Sequence, residues 1–161
     1  MKMETVVHCQ RGMEKNVHMA ISSPFTSPSD PLPLEGERVL EFGQAVSSPM
    51  CGMLLGDLGA DVIKVEPPEG DPARGYGPPF VAGESPYFLS VNRNKRSIVL
   101  DLKTEAGRRI ARQLAEQATV IITNFRPGVM DRLGLGETTL REVNPTLIFC
   151  QVSGYGPRGP Y

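Results

Sequence analysis

The stretch RVLEFGQAVSSPMCGMLLGDLGADVIKVE, Arg38 to Glu66, decides the fold. Arg38 to Phe42 reads as a short strand, and Asp61 to Glu66 (DVIKVE) as a second. Between them GQAVSSP offers Ser47 or Ser48 as a helix N-cap, with Pro49 at the first helical position. Met50, Met53, Leu54 and Leu58 share one helical face, expected to be the buried one, and Gly59 stops the helix. Strand, short helix and strand in so few residues make a parallel βαβ unit, so the chain is read as an α/β protein. In such a unit the loop after the first strand lies at the ligand-binding edge of the sheet.

Working outward, PPEGDPARGYGPPFVAGES (Pro67 to Ser85) is too rich in Pro and Gly for regular structure and reads as a surface loop. SVNRNKRSIVLDLKT (Ser90 to Thr104) comes next, with Ser97 to Leu102 as a third strand. Thr104 caps the helix TEAGRRIARQLAEQA, in which Ile110, Leu114 and Ala118 are expected to be buried and Arg108, Arg112 and Glu116 to face outward. Thr119 to Thr123 (TVIIT) is nearly all apolar and reads as a fourth, central strand. NFRPGVMDRLGLG supplies a turn and a short helix, ETTLREVNP another helix, and TLIFCQVS a fifth strand. Upstream, residues 1–33 have no sustained apolar period and end in SSPFTSPSDPLP, a composition that predicts a disordered leader before a domain at 34–161.

A chain of 161 residues suffices for one domain with a core. Lys and Arg number 17 against 18 Asp and Glu, intermixed, so there is no electrostatic footprint for nucleic acid or an anionic membrane. Cys9, Cys51 and Cys150 are widely spaced, with no C-x-x-C and no paired histidines, which argues against a disulfide framework and a zinc site. With no apolar run of membrane-spanning length and no apolar stretch in the first residues, the expected location is the cytoplasm.

Glu66 ends the second strand where dinucleotide-binding folds place a ribose-binding acid, yet GQAVSSP lacks G-x-G-x-x-G, and no Walker A sequence occurs. Arg93, Lys95 and Arg96 taken alone fit a solvated turn. The combination matters more. Lys103 stands at the C-terminal end of the third strand, and Asn124, Phe125 and Arg126 at the end of the fourth, so two adjacent parallel strands would bring them to one edge. They offer a point charge and a guanidinium for phosphates, an amide for a polar edge and a ring for stacking. That set suits a nucleotide-like ligand.

LEGERVLEFGQ, GDLGADVIKVEPPEGDPAR, YFLSVNRNKRSIVLDLKT, TNFRPGVMDRLGLG and NPTLIFCQVSGYGPRGPY, in this order and spacing, resemble the N-terminal portion of the class III (CaiB/BaiF) CoA-transferases, from Leu34 to Tyr161. The resemblance implies a Rossmann-like, mostly parallel sheet with flanking helices, forming an incomplete N-terminal part of the large CoA-transferase domain. It implies a CoA thioester and a carboxylic acid as substrates, with no prosthetic group. Carried over by motif, Val46 and Ser47 would approach the reactive end of CoA; Leu100, Asp101, Leu102 and Lys103 with Asn124, Phe125 and Arg126 would line the adenosine and phosphate region; and Arg132 would add a phosphate contact. Some members carry an Arg after the second strand, where this chain has Pro67 and Pro68.

In that family an Asp attacks the donor thioester to give a mixed anhydride, the thiolate returns to give an enzyme thioester, and the acceptor carboxylate collects the CoA. The Asp lies downstream of SGYG-x-x-GPY, so no catalytic residue is expected here, and the 161-residue chain alone is expected to be inactive and unable to form the family's interlocked homodimer. Asp57, Asp61, Asp71, Asp101 and Asp131 are read as structural. A 2-methylacyl-CoA racemase of the same fold is the nearest alternative. NRNKRS (Asn92 to Ser97) and TNFR (Thr123 to Arg126), where racemases have R-G-K-R-S and E-P-F-R, favour the transferase. A non-catalytic CoA-binding module and a non-functional product are the other readings.

Overall fold

The structure, a computed structural model, describes residues 30–156. Most of the expected leader and the end of the last motif lie outside the described residues. The elements run β1 (Arg38–Phe42), α1 (Ser47–Asp57), β2 (Asp61–Glu66), a single 3₁₀ turn (Pro72–Gly75), α2 (Pro86–Asn92), β3 (Lys95–Val99), α3 (Glu105–Glu116), β4 (Val120–Thr123), α4 (Val129–Arg132), α5 (Glu137–Val143) and β5 (Ile148–Gln151). The strands form one five-stranded, wholly parallel sheet in the order β3-β2-β1-β4-β5. The expected α/β, Rossmann-like architecture is therefore present. The chain builds outward from β1 to one side and then crosses to the other, which puts the topological switch point between β1 and β4. β4 is an interior strand, as expected, with Ile121, Ile122 and Thr123 buried.

Two expectations about strands are corrected. The third strand is Lys95–Val99 rather than Ser97 to Leu102, because it runs in register with β2 from Val62↔Lys95 to Glu66↔Val99 and β2 ends there. Leu100 to Lys103 consequently form the turn after it, closed by the bond from Lys103 N to Asp101 Oδ1 at 2.9 Å. The third and fourth strands are also not neighbours: β2 and β1 separate them, since the crossover through α3 carries the chain past both. All strands being parallel, their C-terminal ends still share one edge.

One face of the sheet packs Leu40, Phe42, Ile63, Val65 and Ile121 against Ala111 and Ala115 of α3, Leu140 of α5, and Leu135 and Leu147. The other face, under α1, starts apolar with Val39, Val62 and Ile122 and then turns polar, with Glu41, Lys64 and Glu66 fully buried.

The helices bury faces that differ in part from those expected, although Met53 and Ala118 are buried as expected. α1 opens at Ser47 with Val46 as N-cap and no side-chain cap, and it buries Ser48, Pro49, Gly52 and Met53 while Met50, Leu54 and Leu58 are exposed. The reason is close approach: a Cβ on Gly52 would collide with Glu41 Oε2 and crowd Lys95, so only glycine fits there without displacing Glu41. Gly59, at φ +104°, ends the helix as expected. α3 likewise buries Gly107, Ala111 and Ala115, leaving Ile110 exposed and Leu114 half-buried, because Gly107 lies against the Asp101 carbonyl. Its expected cap is present, Thr104 Oγ1 accepting from Gly107 N at 3.1 Å. α2 was not expected. Ser85 caps it by accepting from Phe88 N at 3.3 Å, and Pro86 takes the first turn.

Among the described residues no helix is long and apolar enough to cross a membrane.

Candidate functional site

A cleft of about 280 Å³ opens at the C-terminal edge of the sheet. The segments after successive strands line it: Gln44 after β1, Val65 to Glu69 at the end of β2, Leu100 to Lys103 after β3, and Phe125 after β4, with Val129 and Leu133 from the α4 turn. Leu100, Leu102, Phe125, Val129 and Leu133 make an apolar wall that suits a flat ring or an alkyl arm. Lys103 lines the cleft, while Arg126 comes directly after Phe125 and Arg132 precedes Leu133. None of these three cations has a hydrogen-bond or ion-pair partner among the described residues, and Arg126 and Arg132 are exposed, as is Lys103.

Two of the three acids that line the cleft, Asp101 and Glu66, are engaged; Glu69 has no side-chain partner among the described residues. Asp101 closes its own turn through the Lys103 amide. Glu66 takes a fork from Arg74, with Nε at 2.8 Å and Nη2 at 2.7 Å, and also accepts from Ser97 Oγ at 2.6 Å and the Asp71 amide at 2.9 Å. Burial alone would push this carboxyl up; the bonds from Arg74, Ser97 and Asp71, with the Arg74 charge, outweigh it and hold the carboxyl at about 2. Arg74 is itself seated over the Phe88 ring at 3.9 Å.

Of the residues singled out in the sequence, Leu100, Asp101, Leu102, Lys103 and Phe125 come together in the cleft. Val46 and Ser47 do not line it; they stand at the start of α1, with Val46 46 % exposed. Asn124 has no free amide to offer a ligand, because its Nδ2 donates to Gln44 O at 2.8 Å and Ser47 Oγ at 3.0 Å while its Oδ1 accepts from Gln44 N at 3.1 Å. It ties the end of β4 to the loop after β1. Arg93, Lys95 and Arg96 are engaged too: Arg93 pairs with Asp57, Arg96 with Asp61, and Lys95 with buried Glu41. They lie at or before the start of β3, the opposite edge from the cleft. Gln44, Pro67, Pro68, Glu69, Val129 and Leu133 were missed by sequence reasoning. The usable signal was topological, since the residue after every parallel strand faces the same edge.

A family model described as CoA-transferase family III matches residues 34–161. The chain is 48 % identical over 129 residues to succinyl-CoA:glutarate CoA-transferase of Mus musculus, covering 80 % of this chain and 30 % of that protein. It is 46 % identical over 141 residues to succinate–glutarate CoA-transferase of Agrobacterium fabrum, covering 83 % and 35 %. Among solved structures, a CaiB/BaiF family protein from Brucella suis superimposes with a TM-score of 0.78 at 46 % identity, covering 82 % of this chain and 36 % of the other. The chain thus spans about a third of the length of these relatives.

Proposed function

The chain belongs to CoA-transferase family III, and from that premise we propose that its C-terminal sheet edge binds the nucleotide and phosphates of a CoA thioester whose CoA passes to a carboxylic acid. The observation that carries the proposal is the distribution of cations. Arg93, Lys95 and Arg96 are paired within the protein, whereas Lys103, which lines the cleft, and Arg126 and Arg132, next in sequence to its lining residues Phe125 and Leu133, have no side-chain partner among the described residues. Arginine and lysine left unpaired around an apolar cleft match a ligand with a ring, a pyrophosphate and a further phosphate. Phe125 offers the ring face, and the Leu100–Leu102 and Val129–Leu133 walls an apolar surface.

The reaction runs through a carboxylate nucleophile. Its attack on the thioester carbonyl expels the CoA thiolate and leaves a mixed anhydride; the thiolate then attacks the enzyme's acyl carbon, releasing the donor acid and forming an enzyme thioester. The acceptor carboxylate attacks that thioester, and the same steps in reverse deliver its CoA ester. Asp57, Asp61, Asp71 and Asp101 are held in ion pairs or turns, so none is assigned the nucleophile's role. The contribution of the described residues is to hold and orient the thioester.

Titration calorimetry of the 161-residue chain with CoA tests this. Saturable binding is expected, weakened roughly tenfold (about 1.4 kcal/mol) by Lys103→Ala and by Arg132→Ala. Absence of binding, or binding indifferent to both substitutions, would overturn it.

A further inference from the structure

Four charged side chains are buried beneath the loop joining β1 to α1: Glu41 on β1 (0 % exposed), Lys64 on β2 (1 %), Lys95 on β3 (2 %) and Asp71 before the 3₁₀ turn (1 %). Each lysine reaches three oxygens. Lys64 Nζ lies 3.0 Å from Glu41 Oε1, 2.9 Å from Asp71 Oδ2 and 2.7 Å from the Gly43 carbonyl. Lys95 Nζ lies 2.8 Å from Glu41 Oε2, 2.9 Å from Asn92 Oδ1 and 2.7 Å from the Pro49 carbonyl. The two backbone carbonyls bracket the loop, one at each end. Asp71 Oδ1 meets its middle at Ala45 N, 3.4 Å away, where the backbone takes a left-handed φ of 61°.

Stability alone does not explain this arrangement. Taking two ammonium groups and two carboxylates out of water is costly, and well-packed apolar residues of similar volume commonly do as well or better. What apolar residues cannot do is hold a carbonyl in one direction. We propose that the Glu41–Lys64–Asp71–Lys95 network is a positioning device that fixes the β1–α1 loop and thereby orients Val46 and Ser47 toward the reactive end of the bound thioester. This rests on the CoA reading above for the identity of the ligand and for the approach of Val46 and Ser47, which stand outside the cleft, to its reactive end. Lys64 and Lys95 are accordingly positioning residues: they touch the loop's backbone, and their effect on the ligand passes through it. Gly52 belongs to the same device, since any side chain there would displace Glu41 Oε2.

The double variant E41Q/K95M removes one positive and one negative charge together, keeps an acceptor for Lys64, and leaves the Pro49 carbonyl without its ammonium. Lys95→Met alone is the second variant. Hydrogen exchange should show the amides of residues 44–48 and Met50 exchanging at least about tenfold faster in the double variant, with the α3 amides unchanged. Calorimetry should show CoA binding weakened roughly tenfold, while adenosine 3′,5′-bisphosphate, which lacks the reactive arm, binds as before. Unchanged loop exchange, or equal acceleration in α3, would overturn the inference, as would equal losses for both ligands. If the unsubstituted chain binds neither ligand, the CoA reading falls and loop exchange alone decides whether the network positions the loop.

Discussion

Beneath α3 and α5 the sheet presents Leu40, Phe42, Ile63, Val65 and Ile121, whereas beneath α1 the same strands present Glu41, Lys64 and Glu66, with Lys95 alongside. The alternation of side chains along β1 and β2 separates the two sets, residue by residue. An apolar face tolerates exchange of one shape for another of similar volume, because its attraction is non-directional. A buried ionic face does not, since each charge needs its own partner at its own distance. The two faces also carry different elements: the face that tolerates change carries α3 and α5, and the face that does not carries the loop leading into α1.

The sharpest way to break this comparison is to make similar changes on both faces. Lys64→Met leaves Glu41 and Asp71 without their shared cation and is expected to cost about 3–5 kcal/mol in denaturant unfolding. Leu40→Met, on the apolar face, should cost less than about 1.5 kcal/mol. Equal losses would mean that the two faces do not differ in kind.

A smaller effect comes from acid. Glu66 titrates at about 2 in the folded protein against a usual 4.5. A folded-state pKa below the unfolded one stabilises at higher pH, so its contribution is complete above the unfolded value and is lost as pH falls from about 4.5 to about 2. Allowing for solvent screening at half-exposed Arg74, that contribution is about 2 kcal/mol. Glu66→Gln should flatten this part of the stability–pH curve, and an unchanged slope would contradict the assignment. The smallest change sharpens the apolar side: Thr104→Ala removes the cap of α3 and should cost about 1 kcal/mol. A loss as large as that for Lys64→Met would show that α3 depends on a directional contact after all.

How much was legible in the sequence tracks the same division. The strands Arg38–Phe42, Asp61–Glu66 and Val120–Thr123, the cap Thr104 and the stop Gly59 were readable, because local propensity and tertiary context agree there. The buried faces of α1 and α3 were not. A periodicity count favours large residues such as Met50, Leu54 and Ile110, whereas the contact surface is made of Gly52, Gly107, Ala111 and Ala115, selected for proximity to the backbone and to buried charge. The pairing of Lys95 with Glu41 was equally hidden, since 54 positions separate them and only the sheet order joins them. Leu100 to Lys103 and Phe125 were placed at the correct edge for a partly mistaken reason: parallel direction alone, without adjacency, delivers them there. Asn124 carries a different lesson, because a polar residue in a ligand motif can serve the motif by holding another loop.

The strand order has a consequence for the growing chain. β1 meets β2 through Arg38↔Asp61 and β3 comes directly after, so one side of the sheet is available from residues 38 to 99 alone. The other side waits for β4, and Asn124 must return across 80 positions to reach Gln44. Before that return the β1–α1 loop has its lysines but no clasp, and the cleft lacks the wall that Phe125 provides. During synthesis, then, the buried charges have their partners well before the cleft has its walls, and the cleft is among the last parts of this sheet to close.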